Sequence, residues 1–387
     1  MALRRLAPFT LLALLAGCSS IQETISDWTS SDRAADALPA KLEAFQARAS
    51  FVERWHQSVG ESRGNSLTPA KLGDAVYATS ARGEVRRLDA ATGKPVWQAA
   101  AGFDVSAGVG VGDGLIVVGG DKGQVAAFGE DGKLRWKARV SSSVISAPQI
   151  ADGVVVVRAG DGKIEGLEVA SGKSLWNYQR ATPTLIVHGH AGVAIQRNAL
   201  YAGFAGGKLV ALNLKTGAVL WEATVSQPRG NTELERISDV TSTPVVDDEQ
   251  VCAVSFQGRL ACFEIAQGGL MWSRDISSDQ GMALLRKFIY LTDATGVVYA
   301  LDKGNGSTLW KNDQLQHRRL PSPTPRGDHV VVGDMEGYLH ALGREDGALV
   351  ARTKTDGSPI QVAPTPIEGG GFLVQTDSGG LYSYTLQ

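Results

Sequence analysis

Residues 200–221 read LYAGFAGGKLVALNLKTGAVLW, and this stretch decides the fold. It runs as an apolar strand, a glycine turn, a second strand, a Thr216-Gly217 turn, and an apolar segment ending at Trp221. The frame recurs along the chain with its turn glycine at Gly83, Gly123, Gly162, Gly207, Gly258, Gly296, Gly337 and Gly380. The spacings are 40, 39, 45, 51, 38, 41 and 43 residues. In the first six units a second glycine follows, with a tryptophan four residues beyond it: Trp97, Trp136, Trp176, Trp221, Trp272 and Trp310. The seventh unit carries Ala351 in that slot.

Each element has a physical reason. Runs such as LIVV at 115–118 and VVVV at 154–157 are short, apolar and rich in β-branched residues. Such runs suit strands buried on both faces. The glycines supply positive φ in tight turns. Pro69, Pro148, Pro244, Pro323 and Pro364 fit the first residue of an inner strand, where no ladder donor is lost. Each Trp offers a large apolar face to a neighbouring sheet. A period near 42 residues, with about four strands per unit, predicts a β-propeller of eight antiparallel blades. The eighth unit stops at Gln387, after its third strand, while FVERW at 51–55 holds a spare strand with Trp55. The N-terminal strand is therefore expected to pair with the last blade and close the ring.

Ahead of the repeats, Arg4 and Arg5 precede an apolar run over 6–16, too short to span a bilayer of ~30 Å. With LAGC at 15–18 it reads as a signal peptide over 1–17, leaving Cys18 as the lipid attachment point. Ser19, where an inner-membrane retention signal would show Asp, favours the outer membrane. Residues 18–46 read as a flexible tether, in which Leu38, Leu42 and Phe45 have the spacing of a weak helix. The propeller is expected over 47–387. Removing 1–17 leaves 36 basic against 40 acidic residues, a formal charge of −4, with no basic run for nucleic acid.

Chemistry-bearing patterns are sparse. Cys252 and Cys262 flank one hairpin turn in an oxidising compartment. If the register pairs them they share a face and can bridge; a one-residue slip leaves two buried thiols on opposite faces. His188 and His190 could present two imidazoles on one strand face, but no further ligand stands nearby, so loop histidines are expected. Asp89 and Asp302 are expected to bond turn amides. The sequence has no phosphate loop and no nucleophile elbow. It implies no metal, no cofactor and no catalytic residue.

The repeat frame resembles that of pyrroloquinoline-quinone dehydrogenases, which are eight-bladed propellers too. That resemblance would imply a quinone or other ligand in the central channel. The sequence lacks their adjacent cysteines, and its blades are near minimal length. The two long spacings put extra residues at 182–196 and 226–242, in connections expected on one face of adjacent blades. The first carries Leu185-Ile186-Val187; the second carries Thr232-Glu233-Leu234-Glu235, a candidate capping box, and Ser238-Asp239-Val240. Signal peptide, tether, eight repeats, GNTELERISDV at 230–240 and VVGDMEGYLH at 331–340 together resemble the BamB family. These are lipoproteins of the β-barrel assembly machinery in the bacterial outer membrane. The resemblance implies a non-enzymatic scaffold whose two long loops meet the periplasmic POTRA domains of BamA, with nascent barrel proteins as further partners. It assigns the contact to a Leu-x-Leu-Arg motif and an Asp-x-Asp motif. Here these read Leu185-Ile186-Val187-His188 and Asp239-Val240-Thr241, so Leu185, Val187, His188, Asp239 and Thr241 become the expected partner residues.

Overall fold

Four strands per unit, each buried differently, set the architecture. The structure, a computed structural model, describes residues 38–387 apart from Thr182, Thr184, His188 and His190. Among these residues the strands assemble into eight antiparallel four-stranded sheets. Seven are consecutive in sequence; the eighth has the order last strand but two, last but one, last, then first. Strands such as Ala75–Thr79, Leu115–Gly119, Val154–Arg158, Gln250–Val254 and Phe288–Thr292 are buried along their whole length. Neighbouring blades cover both of their faces, which is why these segments do not alternate. The inner strands follow one another around the ring, and Thr365 of blade eight donates to the Pro69 carbonyl of blade one at 3.2 Å.

The expected closure forms. Phe51–Ser58 pairs antiparallel with Gly380–Leu386, from Phe51 opposite Leu386 to Ser58 opposite Gly380. Trp55 then joins the repeating contact between blades. Each of Trp55, Trp97, Trp136, Trp176, Trp221, Trp272 and Trp310 donates its Nε1–H to a backbone carbonyl of the next blade, at 2.7–3.0 Å. Each ring also lies on the glycine of the next blade's outer turn, so close that an added Cβ would sit less than 3.0 Å from it. The glycine after the strand pair is therefore there to receive a neighbour's tryptophan, as well as to turn the chain.

The seventh unit breaks this pattern for a topological reason. In blade eight the outermost hairpin is replaced by the two ends of the chain, so there is no turn for a blade-seven tryptophan to grip. Ala351 is buried there instead, beneath Ala49, Phe51 and Leu386. The amides of Arg48 and Ala49 both donate to the Val350 carbonyl along that edge.

Several expectations are corrected. Residues 40–46, assigned to the tether, form no helix and belong to the same unit as the propeller. Leu42 and Phe45 pack on the core between blades six and seven. Arg318 donates to the Ala40 carbonyl at 3.0 Å and Arg352 to the Glu43 carbonyl at 3.1 Å. The five prolines stand one residue before their inner strands rather than in them. Positive φ falls on Gln257 and Gly379, not on Gly258 and Gly380 as the frame suggested. Lipidation at Cys18 and the signal peptide lie outside the described residues.

Cys252 stands directly opposite Cys262 in the ladder, with Cα atoms 4.0 Å apart, and the two are joined in a disulfide. The bridging register is the one that forms. Both residues are fully buried, so thiol reductants should leave the bridge intact in the native protein. Replacing both by alanine should cost about 2–3 kcal/mol, the loop entropy returned to the unfolded chain. Denaturant melts measure it, and a loss below ~0.5 kcal/mol would show the bridge to be redundant.

Candidate functional site

In a four-stranded blade, the connection from the outer strand to the next inner strand emerges on the same face as the turn between the two middle strands. The long connections, residues 179–192 and 225–244, therefore share a face. The structure brings them together on adjacent blades. Asp239 fastens them: its carboxylate accepts the Val187 amide at 2.8 Å and the Gly206 amide at 2.9 Å. Its own carbonyl accepts the Phe256 amide at 2.8 Å, tying in blade five. Gly192 donates to Thr243 Oγ1 at 2.9 Å, and Gly189 lies against Thr241 so closely that a side chain would collide.

Asp239 is only 3% exposed. The expectation of an exposed acidic contact is thereby corrected: both oxygens are taken by amides, and the residue shapes the surface from beneath. Thr241, expected at the contact too, is buried, and its hydroxyl has no partner among the described residues. Val240 between them packs against Gly203. Of the expected contact residues, Leu185 is 44% exposed and Val187 half-buried. His188, and with it the His188–His190 pair, lies outside the described residues.

The second connection adds a surface residue that the sequence reading missed. The capping box forms: Thr232 Oγ1 accepts the Glu235 amide at 3.2 Å, while Glu235 accepts the amides of Asn231 and Thr232. Those amides hold the Glu235 carboxyl below the usual carboxylate range. The single turn so fixed lifts Leu234 to 67% exposure. The signal was present, since an apolar residue inside a capping box with no following helix has nothing to pack on.

Two hollows open near this face. One, about 270 Å³, lies between blades three and four beneath the first connection, lined by Arg158, Ile186, Val187, Asp239 and Thr241 among others. The other, about 430 Å³, lies along the central channel. Its walls are largely small and uncharged, including Ser66, Thr68, Ser146, Gln149, Thr243 and Gln361, with Asp279 the one ionisable residue among the described residues that line it. No group of three or more His, Cys, Asp or Glu among the described residues is placed to hold a metal. Asp89 and Asp302 accept the amides of Thr92 and Gly304 in their turns, as expected.

Known proteins similar to this chain include BamB proteins and quinohemoprotein dehydrogenases. The family model described as outer membrane protein assembly factor BamB matches residues 81–312 and 294–386. The outer membrane protein assembly factor BamB of Nitrosomonas eutropha is 41% identical over 99% of this chain and 95% of its own length. The crystal structure of BamB from Moraxella catarrhalis superposes with a TM-score of 0.79 at 28% identity, covering 87% of this chain and 99% of that one. A quinohemoprotein alcohol dehydrogenase from Pseudomonas putida HK5 has a TM-score of 0.69 at 14% identity, over 87% of this chain and 76% of that one. The second likeness is one of fold alone.

Proposed function

This chain belongs to the BamB family of outer membrane protein assembly factors, and from that premise we propose that it is a non-enzymatic scaffold docking on the periplasmic POTRA domains of BamA. The docking surface is the face carrying residues 179–192 and 225–244. The observation that supports it most is the Asp239 carboxylate, which fixes two exposed loops from different blades as one surface. Rigid apolar residues at the centre of such a patch carry most of an interface's energy. Leu185 and Leu234 are the residues so placed. Nascent barrel proteins held near BamA would pass this same face.

The test is a titration of the mature chain against the isolated periplasmic domains of BamA. Leu185→Ala and Leu234→Ala should each weaken binding by about 1–2 kcal/mol while the propeller melts normally. Asp239→Ala should weaken it as well, through loosening of the Val187 backbone, with little change in salt dependence because the carboxylate is covered. Binding that survives all three changes, but fails on substitution in the central channel, would sink this reading.

Association with the outer membrane is proposed to come from lipid on Cys18. Cys18→Ser should give a product free of label from radioactive palmitate and released from the membrane fraction, since stable anchoring takes two or more acyl chains. Normal labelling of that variant would refute it.

A further inference from the structure

Two arginines among the described residues are almost completely buried, Arg318 at 3% exposure and Arg158 at 6%. They are treated in opposite ways. Arg318 is paired with both Asp334 and Glu336. Arg158 has no carboxylate within ion-pair distance among the described residues. Its two terminal nitrogens donate to the carbonyls of Gly192, at 3.4 Å, and Gly203, at 2.5 Å. Its guanidinium lies 5.0 Å over the Phe204 ring, and its Nε–H has no partner among the described residues. Burial pushes its pKa down to about 10, which leaves it charged at neutral pH.

Packing does not require a cation at this place. The register positions equivalent to Arg158 in the other blades hold Thr79, Gly119, Gly203, Val254, Thr292, Gly333 and Gln375, all neutral. A buried charge without a counter-ion is costly, so its presence in one blade of eight asks for a use. Arg158 lines the hollow of about 270 Å³ beneath the first long connection. Thr241 lines the same hollow, and its hydroxyl is a second buried polar group without a partner among the described residues. The Asp239 carboxylate on that wall is already occupied by two amides. Ile186 and Val187 form the apolar rim, with exposed Leu185 beside them.

We propose that this hollow is a carboxylate-binding site, in which Arg158 and Thr241 receive an acidic side chain carried by a polypeptide seated on the loop face. An unpaired guanidinium calls for a carboxylate, and the apolar rim fits the chain that bears it better than a free anion. The occupant rests on the docking face proposed above; the anion chemistry does not.

Two measurements separate those layers. In the first, the Nε–Hε NMR signal of Arg158, identified by its loss in Arg158→Lys, is followed in the full mature chain. Capped glutamate should shift it saturably and capped glutamine should not, and Thr241→Val should weaken the response several-fold. No shift with capped glutamate would overturn the site, and an equal shift with chloride or inorganic phosphate would overturn its assignment to a carboxylate. In the second, Arg158→Met is titrated against the periplasmic domains of BamA. Its affinity should fall at least tenfold and lose salt dependence, while its melting temperature holds or rises, because an unpaired buried charge is removed. Weakening by Leu185→Ala but not by Arg158→Met would leave the docking face standing and overturn the acidic contact. Failure of both would refute the face itself and leave the anion site to the NMR result.

Discussion

Trp55→Ala should lower stability by about 3–5 kcal/mol, the range for truncating a buried aromatic side chain, and should cost more than the same change at Trp176. Both tryptophans stack on the next blade's turn glycine and donate to its carbonyl, Trp55 to Ala90 and Trp176 to Leu214. They differ in what holds their strands. The strand of Trp176 continues from its own hairpin. The strand of Trp55 is tied to blade eight by its ladder, its packing and the residues just after it, where the Val59 and Ser62 amides donate to the Gly379 and Asp377 carbonyls. Loosening it opens an edge as well as a cavity. Denaturant melts of the two variants, beside a deletion of residues 47–58, make the comparison. Equal losses at Trp55 and Trp176 would show that closure depends on the ladder and not on the clasp.

Gly172→Ala should be nearly as damaging, at roughly 2–4 kcal/mol, for a residue that adds one methyl group. Two costs combine there. Its φ of +70° is unfavourable to any side chain, and the added Cβ would stand 2.5 Å from the Trp136 ring. Overpacking of that kind costs typically 1–3 kcal/mol. Gly153 provides a matched control, with a φ of +83° and nothing within 4 Å of an added Cβ. Gly153→Ala should therefore cost only the backbone strain, about 1 kcal/mol. If the two variants melt together, the glycines serve the turn alone and the tryptophan contact carries no stability.

The repeat made the architecture readable because glycine, β-branched runs and tryptophan each recur for a reason of local geometry. Even the ring closure was legible, from a strand missing at one end and a spare Trp55 at the other. The purpose of the second glycine was not, since the tryptophan it meets lies a full blade away in sequence. Ala351 stood out only as a departure from the pattern, and the missing outer hairpin is what demands it. At the site, the loops and their shared face were legible from the two long spacings. The burial of Asp239 was not: its partners, the Val187 and Gly206 amides, are 52 and 33 residues away, and only the stacking of blades four and five brings them near. Arg158 gave no signal at all, for one arginine at the end of a valine run reads as a strand terminus.

The pairing of Phe51 with Leu386 also dictates an order of events. Seven blades can form as the chain emerges, the first six each laying a tryptophan on the next. The eighth waits for residues 380–386, and until they are made the strand at 51–58 has no ladder to join. Joining ends about 335 residues apart costs only some 2 kcal/mol more in loop entropy than closing one blade of about forty, because the cost grows with the logarithm of length. Seven stacked blades supply most of that ordering beforehand. Completion of the ring is thus a late, all-or-none step, and a chain cut short before residue 380 would be left with two sticky edges instead of none.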